Sequence, residues 1–150
     1  MPFRKESRKR DPEPYLRKVH YYETDKMGIV HHSNYIRWFE EARLAYMKRS
    51  GISYAEMEKQ GVMIPVVSVS GTFRVAIKFD QTVEIDAWLS VFNGVRMTFQ
   101  YEVYSEGGGR LLACGQSEHC FIDEQSRKPL NLKKRLPEYY ERGMQLLKAK

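Results

Sequence analysis

From Asn34 to Met47 the residues Tyr35, Trp38, Phe39, Ala42, Ala45 and Tyr46 recur at three- and four-residue steps, and Ile36 and Met47 widen the stripe. That spacing specifies a helix. An apolar band over so much of the circumference specifies a helix buried in the protein, not one lying on its surface. Ser33 or Asn34 supplies the N-cap and Gly51 the stop. Whatever else the chain forms must therefore wrap this helix.

The remaining sequence supplies the wrapping. Ser53-x-x-Glu56 has the form of a capping box and opens a short second helix that ends before Gly61. The period then changes to two. Val67, Val69, Gly71, Phe73 and Val75 alternate with other residues, and so do Val83, Ile85, Ala87, Leu89 and Val91. Asn93-Gly94 is a hairpin turn signal, and Val95, Met97, Phe99, Tyr101 and Val103 follow it. Gly107-Gly108-Gly109 turns the chain into a strand from Arg110 to Ile122, and Leu16 to Tyr22 reads as an early strand. After Pro137 a short helix carries Tyr140, Met144 and Leu147 on one side. The reading is an α+β fold, one long central helix wrapped by a curved antiparallel sheet. Residues 15–150 form one domain, and residues 1–14, polar with Pro2, Pro12 and Pro14, form a flexible basic arm.

Charge narrows the function classes. The chain of 150 residues carries a net +6, distributed as +4 over residues 1–18, −4 over 19–126 and +6 over 127–150. The basicity is terminal and the folded body mildly acidic, which argues against a nucleic-acid-binding face. No apolar run reaches the ~18 residues of a membrane span, and no apolar stretch follows the charged N-terminus as a secretory signal requires. The expectation is a cytoplasmic protein that binds neither nucleic acid nor membrane. Cys114 and Cys120 fall on one face of one strand, too far apart to bond to each other, and read as buried thiols.

The chemistry concentrates between Tyr22 and Tyr35. A carboxylate, Asp25, sits in a polar loop just before the helix, whose N-terminus offers unpaired N–H groups and a positive dipole end. A carbonyl oxygen held there is polarised as acyl transfer requires, and a carboxylate beside it can attack the carbonyl or activate water. From spacing alone, a turn aspartate and cap-region polar residues remain the plainer reading.

The residues themselves carry a resemblance. Tyr21-x-Glu23-Thr24-Asp25-x-Met27-Gly28-Ile29-Val30-His31-His32-x-Asn34-Tyr35, running into Trp38-Phe39-Glu40-Glu41-Ala42-Arg43, closely resembles the 4-hydroxybenzoyl-CoA thioesterase family, in particular its bacterial acyl-CoA thioesterase branch. Phe79-Asp80-Gln81-Thr82-Val83-Glu84-Ile85, Arg96-Met97-Thr98-Phe99-x-Tyr101 and Ala113-x-Gly115-x-x-x-His119-x-x-Ile122-Asp123 fit more weakly. Gln81 departs from the pattern, because relatives often carry a second acid there. The resemblance spans roughly residues 15–137. It implies a hotdog fold and hydrolysis of an acyl-CoA thioester. Asp25 falls at the catalytic aspartate, as nucleophile or general base, and Gly28 at the tight turn after it. His32 falls at the mouth of the central helix, where its N–H faces the thioester carbonyl and its side chain assists water or the leaving thiolate. Ser33 and Asn34 complete that helix N-terminus, and Tyr22 lies near a position where relatives carry an aromatic. The resemblance also implies a site formed between subunits of a homodimer, often paired into a homotetramer, with no cofactor and no metal.

Other assignments compete with these. His20, His31, His32 and His119 match no standard metal-ligand spacing. A helical glutamate serves as the catalytic group in another hotdog subclass, but Asp25 already occupies the matching position here, so Glu40 and Glu41 read as partners of Arg43 or Arg37. Lys78, Arg96, Arg127, Lys128, Lys133, Lys134 and Arg135 are candidates for the CoA phosphates, with Lys78, Arg127, Lys133 and Lys134 foremost as substrate-binding residues. Two other functions use the same fold, a non-catalytic module that holds acyl-CoA or acyl-carrier protein and a hydroxyacyl-thioester dehydratase.

Overall fold

A computed structural model describes residues 9–148. In chain order the elements are β1 (Tyr15–Lys18), a 3-10 turn (Tyr21–Glu23), α1 (Ser33–Arg49), α2 (Tyr54–Lys59), β2 (Val62–Met63), β3 (Val66–Phe73), β4 (Thr82–Phe92), β5 (Arg96–Ser105), β6 (Leu111–Cys120), β7 (Ile122–Asp123), α3 (Leu132–Arg135) and α4 (Pro137–Lys148). Five strands form one sheet in the order β1-β4-β5-β6-β3, every neighbour antiparallel, and β2 pairs with β7.

The central helix lies on one face of this sheet. Its residues Trp38, Phe39, Ala42 and Met47 are buried with Val83, Ile85, Ala87 and Leu89 of β4 and with Phe99, Tyr101 and Val103 of β5. Phe39 stacks on Tyr101 at 4.5 Å between ring centroids, and β6 runs beneath the ring at Gly115. A Cβ there would lie 2.6 Å from Phe39 Cζ and 2.7 Å from the Ser70 carbonyl oxygen, so only glycine permits this approach. Truncating either Trp38 or Phe39 to alanine removes buried area worth about 3–5 kcal/mol. At its far end α1 closes in a Schellman arrangement: Gly51, at φ +81, donates to the Lys48 carbonyl at 3.1 Å and Ile52 to the Met47 carbonyl at 2.8 Å.

Several local expectations are corrected. The early strand ends at Lys18, because Val19 N–H turns to the Gln81 carbonyl and His20 N–H to the Glu23 carboxylate. The N-cap of α1 is His32, not Ser33 or Asn34, and its side chain makes no capping bond. The Arg110–Ile122 strand is broken at Phe121, whose carbonyl accepts from Leu130 N–H, so that Ile122 and Asp123 pair with β2 instead. The short elements β2, α3 and β7 lack a period long enough to read in sequence.

The arm placed over residues 1–14 lies outside the described residues as far as residue 8. Its remainder is anchored. Arg10 donates to both oxygens of the buried Asp86, at 2.7 and 3.0 Å, and lies 3.6 Å above the Tyr104 ring, while Arg49 pairs with Asp11 at 2.6 Å. At the other end of the chain α4 closes the end of the core. Gly143 sits against Phe92, and Tyr140 packs on the same ring at 5.8 Å. Both cysteines are free thiols, Cys114 buried and Cys120 half-buried. Among the described residues no helix is long and apolar enough to cross a membrane.

Candidate active site

Asp25 occupies the tip of a narrow loop whose limbs, Thr24 and Val30, are bridged. The tip is built by its own backbone. Asp25 N–H donates to the Ile29 carbonyl at 2.8 Å, and Gly28 N–H donates to the Asp25 carbonyl at 3.0 Å. Gly28 adopts φ +76, which L-residues with a side chain rarely take. Asp25 Oδ1 accepts the Met27 N–H at 2.8 Å, the local turn bond typical of aspartate. Oδ2 has no hydrogen-bond partner among the described residues. The carboxylate is thus fixed through one oxygen and open at the other.

The loop is tied to α1 by Glu23. Its carbonyl accepts from His31 N–H at 2.9 Å and from the Asn34 side-chain amide at 2.9 Å. Its carboxylate is 2 % exposed and accepts four hydrogen bonds: from His20 N–H, from two Arg17 nitrogens and from Trp38 Nε1, all between 2.8 and 3.0 Å. Burial pushes this carboxyl upward, but the His20 N–H, Trp38 and Arg17 outweigh it and hold its pKa below the ordinary value. One buried carboxylate therefore joins β1, the loop and the second turn of α1. Sequence alone places Glu23 in the motif without a role. Its partners Arg17 and Trp38 come together only in the folded chain.

At the helix mouth, the three residues expected to form an oxyanion-binding terminus differ. Ser33 N–H donates to His31 Nδ1 at 3.2 Å, and Asn34 N–H to the His31 carbonyl at 3.0 Å. Only His32 keeps an N–H with no partner among the described residues. His31 thus satisfies the first N–H of the helix. The His32 ring is exposed, stacked on His31 at 4.2 Å and tilted to Phe73 at 6.5 Å.

The structure places Asp25 and Gly28 in one loop and His32, Ser33 and Asn34 at the helix mouth, and ties the two through Glu23, whose carbonyl accepts from His31 and Asn34. It adds Lys78, because Ile29 bridges Lys78 and Val30 N–H donates to the Ile77 carbonyl at 2.8 Å. Tyr22 is exposed beside them and stacks on His20 at 5.2 Å. Arg127, Lys133 and Lys134 are not brought to Asp25 in this chain. Leu132 of α3 packs in the same cluster as Met47, near the C-terminal end of α1, whereas Asp25 lies before its N-terminus. A 17-residue helix is about 25 Å long. Nor does Glu41 pair with Arg43 or Arg37. It accepts from Arg17 at 3.0 Å and from the Tyr15 hydroxyl at 3.1 Å, while Arg43 donates to the Tyr101 hydroxyl at 3.2 Å.

The profile of the Thioesterase-like superfamily matches residues 19–139. The chain is 35% identical over 122 residues to YneP of Bacillus subtilis, provisionally named an acyl-CoA thioesterase, covering 81% of this chain and 88% of that protein. It superposes on a solved DHNA-CoA thioesterase from Staphylococcus aureus with a TM-score of 0.84 and 35% identity over 87% of each chain. A Thermus thermophilus protein designated TT1821 gives a TM-score of 0.80 at 34% identity, covering 89% of this chain and 99% of that one. The hotdog arrangement of one helix against an antiparallel sheet is common to them.

Proposed function

We propose that this chain, which belongs to the Thioesterase-like superfamily, hydrolyses the thioester of an acyl-CoA to a free acid and CoA at Asp25. The observation that carries this reading is the pairing of an Asp25 oxygen left open with a His32 N–H left unpaired at the start of α1. A thioester carbonyl placed between them has its oxygen on the N–H and the positive end of the helix. Asp25 then takes a proton from water as that water attacks the carbonyl carbon. The tetrahedral oxyanion collapses, the C–S bond breaks, and the CoA thiolate leaves with the proton returned from Asp25. In the nucleophilic variant Asp25 forms the bond itself, and water hydrolyses the resulting anhydride. The His32 ring, exposed at the mouth, assists the leaving thiolate in this reading.

The working unit in this reading is a homodimer that pairs into a tetramer. Among the described residues β3 has a free edge, and Val66, Val67 and Phe73 along it are exposed, as is Ile36 on α1. A partner subunit across that edge is also the source of the cations that Asp25 lacks in its own chain, Arg127, Lys133 and Lys134, for the CoA phosphates. The substrate is a CoA ester in the cytoplasm, with acyl-carrier protein as the competing carrier.

The test is thiol release across short, long and aromatic acyl-CoAs. We expect turnover with at least one. Asp25→Asn should lose about 10²–10⁴-fold with an unchanged circular dichroism spectrum. Full turnover by Asp25→Asn overturns the assignment, and binding of acyl-CoA without hydrolysis by the parent protein favours a non-catalytic module.

A further inference from the structure

His31, just ahead of α1, is held at its amide, its carbonyl and its ring. Its N–H donates to the Glu23 carbonyl at 2.9 Å. Its carbonyl accepts from Asn34 N–H at 3.0 Å and from the Asn34 side-chain amide at 3.2 Å. Its ring Nδ1 accepts from Ser33 N–H at 3.2 Å, and Ser33 Oγ lies 2.9 Å from the same nitrogen.

The carbonyl aims the His32 N–H. The two belong to one planar trans peptide and point in opposite directions. With the carbonyl turned onto Asn34 in the first turn of α1, the N–H faces out of the mouth. The ring removes a competitor. Ser33 N–H is the first of the helix, and without Nδ1 it would be a second orphan donor beside that of His32. A thioester oxygen would then be drawn between the two.

The ring can do this in one protonation state. A backbone N–H only donates, so Nδ1 accepts and the ring proton sits on Nε2. Protonation at Nδ1 sets two donors against each other. The Ser33 hydroxyl can turn to accept from the protonated ring, but the amide cannot, and Ser33 N–H is released. Four titratable groups surround the ring. His32 stacks on it at 4.2 Å, and Asp25 lies in the loop that Glu23 ties to it. The Glu23 carboxylate is turned into the core onto Arg17 and Trp38, and Lys78 is bridged to Ile29. Phe73 of β3, 6.5 Å from the His32 ring, adds no charge.

We propose that His31 is a positioning residue for the reaction at Asp25: its neutral ring caps α1 and leaves the His32 N–H as the single donor at the mouth. The proposal rests on the thioesterase reading of the Asp25 site. It is tested by kcat and KM for octanoyl-CoA and benzoyl-CoA across pH in the parent, His31→Ala and His31→Asn. Alanine offers no acceptor. Asparagine makes the same bond to the N–H two residues on and does not titrate. At neutral pH His31→Ala should lose about tenfold in kcat, the scale of a lost cap, with KM little changed, and His31→Asn should recover most of it. Asp25 and His32 also titrate at the mouth, so the contrast between parent and His31→Asn isolates His31. The acid limb of the parent should contain a step at the His31 midpoint read by NMR, and that step should be missing in His31→Asn. Parent-like kcat in His31→Ala, no recovery in His31→Asn at an unchanged urea midpoint, or identical acid limbs in parent and His31→Asn overturns the proposal. Should His31→Ala fail to fold, the two acid limbs decide alone. Should no ester be hydrolysed, the thioesterase reading fails by itself, and nitrogen-15 NMR of the parent decides the cap. A neutral ring bare at Nδ1, with the Ser33 amide resonance moving as His31 titrates, supports it, and a proton on Nδ1 or an indifferent Ser33 amide overturns it.

Discussion

Glu23→Gln is the substitution that best separates the buried carboxylate's charge from its shape. The glutamate accepts from His20 N–H, Trp38 Nε1 and two Arg17 nitrogens. Glutamine keeps one acceptor oxygen and turns an NH2 group toward donors. Two charge-assisted bonds are lost, each worth about 1.5–3 kcal/mol. Arg17 keeps Glu41 at 3.0 Å and is not left wholly uncompensated, which places the result at the low end of the range for breaking a buried pair, about 3 kcal/mol. For a chain of this size that lowers Tm by roughly 6–12 °C. Urea titration at pH 7 and matched protomer concentration measures it, because association adds to apparent stability. The pH dependence gives a second reading. Glu23 titrates below its unfolded value, so its contribution is complete above about pH 4.3 and disappears as pH falls through the folded value. The deficit of the variant should therefore shrink as pH falls below about 4.3. A deficit below about 1 kcal/mol at neutral pH, or one that persists unchanged in acid, would refute the argument.

Three more outcomes are set elsewhere in the core and at the sheet edge. His119 is wholly buried, and burial, aided by Arg43, pushes its pKa down to about 4. NMR titration should find its ring neutral throughout roughly pH 5–8, and its share of stability, about 3 kcal/mol, should be present above about pH 6.5 and drain away as pH falls toward the folded value; a midpoint above about 6 contradicts this. Gly115→Ala should cost about 2 kcal/mol by driving Phe39 off Tyr101, read by denaturant titration, and an unaltered midpoint would show that the ring yields freely. On the proposed dimer, Val67→Lys, a charge on the free edge of β3, should give monomers in light scattering, and an undiminished particle mass relative to the parent would place the interface elsewhere.

The central helix and the alternating strands were legible because each carries a long, unmixed period. Trp38 must face inward with the rest of its stripe, and Ile85 and Ala87 of β4, two residues apart, must face α1 together. Periodicity could not place the N-cap, because the donor at Ser33 is satisfied by an imidazole, His31 Nδ1, which propensity does not single out. The two-residue strands β2 and β7 are set by each other across the fold, and no local pattern announces them. At the candidate site, the motif singles out Asp25 and His32. The difference between the His32 N–H and those of Ser33 and Asn34 was not legible, since it depends on which carbonyls and rings lie within 3.2 Å. Glu23 was hidden for a related reason: its partners are spread from Arg17 to Trp38 and converge only when β1 and α1 are docked.

The convergence on Glu23 also governs motion. One limb of the Asp25 loop is held to Ile77 and Lys78 through Val30 and Ile29, and the bonds that orient the loop toward α1 pass through Glu23 and so through the core. Its opening should therefore not be a separate low-energy excursion of the kind surface loops make. In hydrogen exchange, the amide of His31 should be protected nearly as well as those of β4 and β5 and should exchange with them. Catalytic competence and global folding would then be lost in one step as denaturant rises.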